Sequence, residues 1–192
     1  MTYFVHQGLL RDAGYCASPN CDARPEGMSV DLLVIHCISL PPGQYGGNEI
    51  EAFFTNQLDI NTHAYFAEIC HLQVSSHVLI RRCGDVLQFV NFNDRAWHAG
   101  ESIFEGRPRC NDFSIGIELE GTDTTTFTEA QYHGLVEVTT AIQRAYPAIT
   151  DSRITGHAQI APGRKTDPGP GFDWKHYRTT LKQANVFPQD TL

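Results

Sequence analysis

Hydrophobic positions along this chain change their period several times, and each change marks an element. Leu32-Leu33-Val34-Ile35 is an uninterrupted apolar run between Asp31 and His36, with Pro41-Pro42-Gly43 beyond it. A run of that length before a loop signal predicts a buried strand with His36 at its end. Residues 48–54 read as a short helix. Val78-Leu79-Ile80-Arg81-Arg82 and Val86-Leu87-Gln88-Phe89-Val90 flank Cys83-Gly84-Asp85 as the arms of a hairpin. From Asp112 to Glu120 the alternation is clean. Phe113, Ile115, Ile117 and Leu119 share one face, and Ser114, Gly116, Glu118 and Glu120 the other. Leu135, Val138, Ile142 and Ala145 then line one face of a long helix. Thr128 is its N-cap, Gln131 completes a capping box, and Pro147 ends it. A short docking helix around Trp174, Tyr177 and Leu181 closes the chain. Strands joined partly by a hairpin and partly by helices predict an α/β fold: a single domain over residues 1–192, core about 30–182, with a central mixed β-sheet flanked by helices.

Composition narrows what such a domain can do. With 192 residues, 41% of them hydrophobic and 19% charged, the chain can bury a core without disulfide support. A formal charge of -8 argues against nucleic acid or an anionic membrane as partner. No stretch is long and apolar enough to span a bilayer, and the N-terminus shows no basic region followed by an apolar one. The expectation is a cytoplasmic monomer with a small soluble substrate. Its six cysteines should stay reduced, and without a C-x-x-C pair a zinc knuckle is not expected.

Candidate chemistry gathers between Gly156 and Pro170, where His157, Lys165 and Asp167 share a loop stiffened by Pro162, Pro168 and Pro170. Imidazole and carboxylate are ligand types of a catalytic zinc, which takes three protein groups and keeps one position open. His36 is the candidate third ligand. Glu118, on a face made small by Ser114 and Gly116, has space for a ligand beside it and suits a general base. Lys165 could stabilise an oxyanion. Trp97 and His98, beside Gly100, could line a sugar or peptide groove, although Trp97 could equally be core. Arg107 and Arg109 could hold a substrate carboxylate. His63, His71 and His77 are too irregularly spaced for a ligand cluster and read as structural or surface residues.

Several motifs then act together: Val34-Ile35-His36, the segment from Ile38 to Gly47, Arg95-Ala96-Trp97-His98-Ala99-Gly100, the segment from Arg109 to Asp123, and Thr155-Gly156-His157 through Lys165-Thr166-Asp167-Pro168-Gly169-Pro170. Over nearly its whole length the chain resembles the zinc-dependent N-acetylmuramoyl-L-alanine amidases, in particular those acting on 1,6-anhydro-muropeptides. The resemblance implies a fold shared with peptidoglycan recognition proteins and one Zn2+ on His36, His157 and Asp167. It also implies Glu118 as general base, Lys165 at the oxyanion, and Arg109 on a stem-peptide carboxylate, and it puts Cys37 at a substrate-contact position, beside the Trp97 and His98 contacts read above. The implied reaction hydrolyses the amide between the lactyl group of anhydro-muramic acid and L-alanine in soluble muropeptides during peptidoglycan recycling. An indirect effect on β-lactamase induction would follow where a host has that circuit. Cys37 stands where the family usually has Asn, and Gln73 where a basic residue is expected. Three other readings remain at this point: a non-catalytic muropeptide-binding module, an amidase acting on the wall, and a hydrolase using Cys37. Against the last, Cys37 in an extended strand should point away from His36.

Overall fold

A six-stranded sheet organises residues 3–186, which the computed structural model describes. Its strands lie in the order Ile154–Gly156, Leu32–Ile38, Ser114–Glu120, Val78–Ile80, Val86–Gln88, Gly14–Tyr15. The first four are parallel to one another, Val78–Ile80 and Val86–Gln88 pair antiparallel as the expected hairpin, and Gly14–Tyr15 adds a parallel edge. The sheet is therefore mixed, with helices against it. Leu32, Leu33, Val34 and Ile35 are wholly buried, which explains a run without alternation: a central parallel strand is covered on both faces.

Each face has its own cover. Leu33, Ile35, Ile115, Ile117 and Leu119 pack under the helix Glu129–Ala145 and the helix Trp174–Val186 in the largest core cluster. Burying each such side chain contributes about 1.5–3 kcal/mol. The long helix carries the expected capping box, in which the Thr128 side chain accepts from the Gln131 N–H and the Gln131 side chain from the Thr128 N–H. It is tied to the last helix by a 2.8 Å hydrogen bond between the Thr139 and Tyr177 hydroxyls. On the opposite face Leu32 and Val34 meet Ala99, Cys110, Phe113 and Ile160. A third cluster seats the short helices Glu49–Phe54 and Ala64–Ile69 against Leu79, Phe89 and Val90.

Some boundaries differ from the expectation. The first long strand runs on through Cys37 and Ile38, so His36 lies inside it and not at its end. The second begins at Ser114, because Cys110–Asp112 form a single 3-10 turn first. The last helix has 13 residues, longer than expected. The Phe4–His6 and Leu9–Arg11 hairpin, the helix Ala64–Ile69 and the strand Ile154–Gly156 are too short for a hydrophobic period to show.

Candidate functional site

Three neighbouring parallel strands deliver the central groups from or just beyond their carboxyl-terminal halves, on the side where open α/β sheets place their ligand crevices. The register sets Glu118 directly opposite His36 on the adjacent strand, so both side chains leave the same face side by side. His157 follows immediately on the strand Ile154–Gly156 and opens the four-residue helix His157–Ile160. Its loop then returns Asp167 to the same point, held by a 2.9 Å bond from the Ala158 N–H to the Asp167 carbonyl.

His36, His157 and Asp167 meet closely. The two imidazole Nδ1 atoms are 2.9 Å apart, and each lies 3.1 Å from Asp167 Oδ2. Groups about 2.0–2.1 Å from a tetrahedral zinc stand roughly 3.3 Å from one another, and the observed triangle is only a few tenths of an ångström smaller. Proton placement supports the fit. The Ala99 carbonyl, 3.1 Å from His157 Nε2, can only accept, so it suits a ring that carries N–H at Nε2 and gives Nδ1 to a metal. Two nitrogens and a carboxylate oxygen thus make a group that could hold a divalent metal ion.

The electrostatics agree. Burial, reinforced by His157 and Lys165 and opposed by Asp167, lowers the His36 pKa to about 4, which keeps the ring neutral as a metal ligand must be. Burial pushes the Asp167 carboxyl up, but its hydrogen bonds with His157 and His36 outweigh that and hold it below the usual carboxylate range. Glu118 is the reverse case. Burial first, and the Asp167 charge second, raise it well above 4.5, with Lys165 opposing. Among the described residues Glu118 Oε2 finds no hydrogen-bond partner. A buried carboxyl oxygen without a partner beside a metal donor set is placed to exchange a proton with whatever enters.

A cavity of about 480 Å³ opens over these groups. Its lining includes His36, Cys37, His98, Glu118, His157, Lys165 and Asp167, with an apolar wall from Leu40, Phe53, Phe54 and Ile69. Lys165 is exposed at its edge. The structure therefore brings together all five residues expected to carry the chemistry. Glu118 lines this cavity, whereas the neighbouring Gly116 part of its face is covered by the His98 ring, whose Nδ1 is 2.9 Å from His36 Nε2. Cys37 lies at the cavity, but its Sγ is 3.9 Å from the Pro168 carbonyl, and burial, together with the Glu118, Asp167 and Asp123 charges, pushes the thiol pKa far up. That environment disfavours a nucleophilic thiolate.

Trp97 and Arg109 are not brought to the cavity. Trp97 Nε1 donates to Asp22 Oδ1 at 3.1 Å, while Arg109 is 69% exposed and 3.2 Å from Asp112. Arg107 stacks on the Phe113 ring and pairs with Asp31 at 2.6 Å. His77 is structural, as expected: its Nδ1 accepts from the Gly116 N–H at 3.0 Å and its Nε2 lies 3.2 Å from the Asp94 carbonyl. Glu120, on the same face as Glu118, is a tether, accepting from the N–H groups of Gly46 at 2.6 Å and Arg82 at 3.0 Å. Sequence reasoning missed Asn111 and Arg164. The Arg164 guanidinium donates to the carbonyls of Ala99 and Glu101, both at 2.6 Å, and ties the Asp167 loop to the segment behind His157.

The family model for N-acetylmuramoyl-L-alanine amidases matches residues 26–170. The chain belongs to this amidase family. It is 57% identical over 181 residues to the 1,6-anhydro-N-acetylmuramyl-L-alanine amidase AmpD of Enterobacter cloacae, covering 94% of this chain and 96% of that one. A crystal structure of an AmpD selenomethionine derivative superposes with a TM-score of 0.89 at 56% identity, covering 92% of this chain and 98% of that chain. AmpDh3 of Pseudomonas aeruginosa, solved in complex with anhydromuramic pentapeptide, has a TM-score of 0.58 at 27% identity, covering 88% of this chain and 70% of that chain. The family match takes in His36, Glu118, His157, Lys165 and Asp167. Amidases of this family are zinc-dependent in general, and the donor set of this chain fits that metal.

Proposed function

We propose that this amidase hydrolyses the amide between the lactyl group of 1,6-anhydro-N-acetylmuramic acid and L-alanine in soluble muropeptides, with one Zn2+ held by His36, His157 and Asp167. The observation that carries the reading is the convergence of those three donors beside a buried, unpartnered Glu118 in a chain so similar to AmpD. When bound there, zinc supplies Lewis acidity to carbonyl and water oxygens at neutral pH. Asp167 brings one negative charge to the cation, and the two imidazoles bring none. Glu118 takes the proton from the attacking water and returns it to the departing L-alanine nitrogen, a task suited to a carboxyl whose proton affinity burial raises. Lys165, at the cavity edge, meets the negative charge that develops on the carbonyl oxygen. The apolar wall from Leu40 to Ile69 gives the uncharged part of the substrate a dry surface, and Cys37, also in the cavity lining, is a further substrate contact. Arg109, by family resemblance, and Trp97 and His98, from their place beside Gly100, are carried as substrate contacts; Arg109 and Trp97 would act outside the cavity.

The reading extends to one amidase domain over the whole chain, working as a monomer on cytoplasmic fragments returned from the wall. No helix among the described residues is long and apolar enough to cross a membrane. The test is mass spectrometry of the zinc-loaded protein incubated with a 1,6-anhydro-muropeptide. Release of a free peptide beginning with L-alanine is expected. Bound zinc without release would refute the activity and favour a binding module.

A further inference from the structure

Two consecutive residues meet the outer nitrogens of both imidazoles. His98 Nδ1 lies 2.9 Å from His36 Nε2, and the Ala99 carbonyl lies 3.1 Å from His157 Nε2. Each ring thus turns Nδ1 toward Asp167 and Nε2 toward this segment. A side chain distant in sequence holds the segment: Asn111 Oδ1 accepts from the backbone N–H of His98 at 3.2 Å and of Ala99 at 2.8 Å. Asn111 sits in the turn Cys110–Asp112, whose Asn111 and Asp112 carbonyls accept from the Arg24 guanidinium at 3.0 and 3.1 Å. The strand beneath completes the arrangement. A Cβ on Gly116 would stand 2.6 Å from both Cγ and Nδ1 of His98, so only glycine lets that ring lie on the sheet. His98 Nε2 then reaches the Ser114 hydroxyl at 3.1 Å.

An imidazole bound to a metal through one nitrogen presents N–H at the other, and the acceptor of that hydrogen fixes its tautomer and ring orientation. We propose that residues 98–99, clamped by Asn111 and seated on Gly116, form a single cradle that presents both histidines to the metal, with His98 and Asn111 as positioning residues. This rests on the metal-centre reading above. In the loaded protein the His36 Nε2–H donates to His98 Nδ1, the His98 Nε2–H donates to the Ser114 hydroxyl, and the His157 Nε2–H donates to the Ala99 carbonyl. One rigid segment therefore couples the two ligands, and moving it disturbs both.

The test measures zinc affinity by competition with a chromogenic chelator, beside thermal unfolding of the metal-free proteins and 15N NMR of the histidine rings. His98→Leu fills the space without an acceptor, whereas His98→Asn keeps an oxygen near the position of Nδ1. Asn111→Leu releases the segment, and Asn111→Asp keeps the acceptor for both N–H groups. Expected are losses of about 10–100-fold in zinc affinity for both leucine variants and for Gly116→Ala, with the Asn and Asp variants nearer wild type. His98 Nδ1 should be unprotonated in the loaded wild type. Wild-type affinity in His98→Leu, or equal losses in His98→Leu and His98→Asn, would overturn the proposal. If the leucine variants fail to fold, Gly116→Ala and the ring spectrum decide: undiminished affinity in the former, or a protonated His98 Nδ1 in loaded wild type, overturns it. A wild type that takes up no zinc overturns the metal-centre reading and this inference together.

Discussion

Replacing Glu118 by glutamine separates the chemistry of this carboxyl from its cost to the fold. Burial, then the Asp167 charge, raises its pKa well above 4.5 in the folded protein, and Oε2 has no partner among the described residues. In the metal-free protein between pH 4.5 and the raised folded pKa, the unfolded chain has released this proton while the folded one keeps it. The unfolded state therefore binds fewer protons, and stability falls as pH rises, by up to about 1.4 kcal/mol per pH unit for one group. Glutamine cannot titrate, so the metal-free variant should gain on wild type at that slope, starting from near equality below pH 4.5. Urea unfolding of both metal-free proteins at several pH values between 4 and 8 reads the difference directly. A difference that stays flat would show that the carboxyl is not held protonated by burial. The same substitution removes the base, and turnover of the anhydro-muropeptide should fall about 10²–10⁴-fold with zinc still bound. Near-normal turnover would remove Glu118 from the reaction.

Asp167→Ala should lower zinc occupancy after dialysis, measured by atomic emission, because only the two imidazoles remain of the donor triangle; unchanged occupancy would exclude Asp167 as a ligand. In the metal-free Glu118→Gln protein, lowering pH from 6.5 toward 4 should cost stability, about 3 kcal/mol from His36 alone. The sign follows from a folded pKa lowered to about 4 against 6.5 in the unfolded chain, which takes up the proton first. A urea midpoint that does not fall over that range would refute it. Cys70 and Cys83 are exposed, whereas the Cys37 thiol is raised by burial and its acidic neighbours, so peptide mapping after brief iodoacetamide treatment should find the first two alkylated and Cys37 intact. Rapid alkylation of Cys37 would reopen its reading as a nucleophile.

How much of this site could be read from the sequence depends on the kind of contact involved. Ligand types and strand alternation are local, and they singled out His36, Glu118, His157 and Asp167, which the fold brings together, and put Glu118 on the face opposite Ile115 and Ile117. What local pattern could not supply is the register that sets Glu118 beside His36, because that pairing joins strands 82 residues apart in the chain. The end of the first strand was misjudged for a related reason. A polar side chain inside an apolar run looks like a terminus, yet His36 is buried there with partners from other segments, and the backbone continues to Ile38. Asn111 was invisible because a side chain that accepts from two backbone N–H groups leaves no mark on the residues donating them. Gly116 was the one available clue. A glycine in an otherwise well-formed strand signals close approach by another group, and the group that approaches is His98 of the cradle and not the substrate. The small Gly116 part of that face is thus filled by the ring that supports His36. This also limits where substrate can sit, because the Gly116 side of that face is filled by His98.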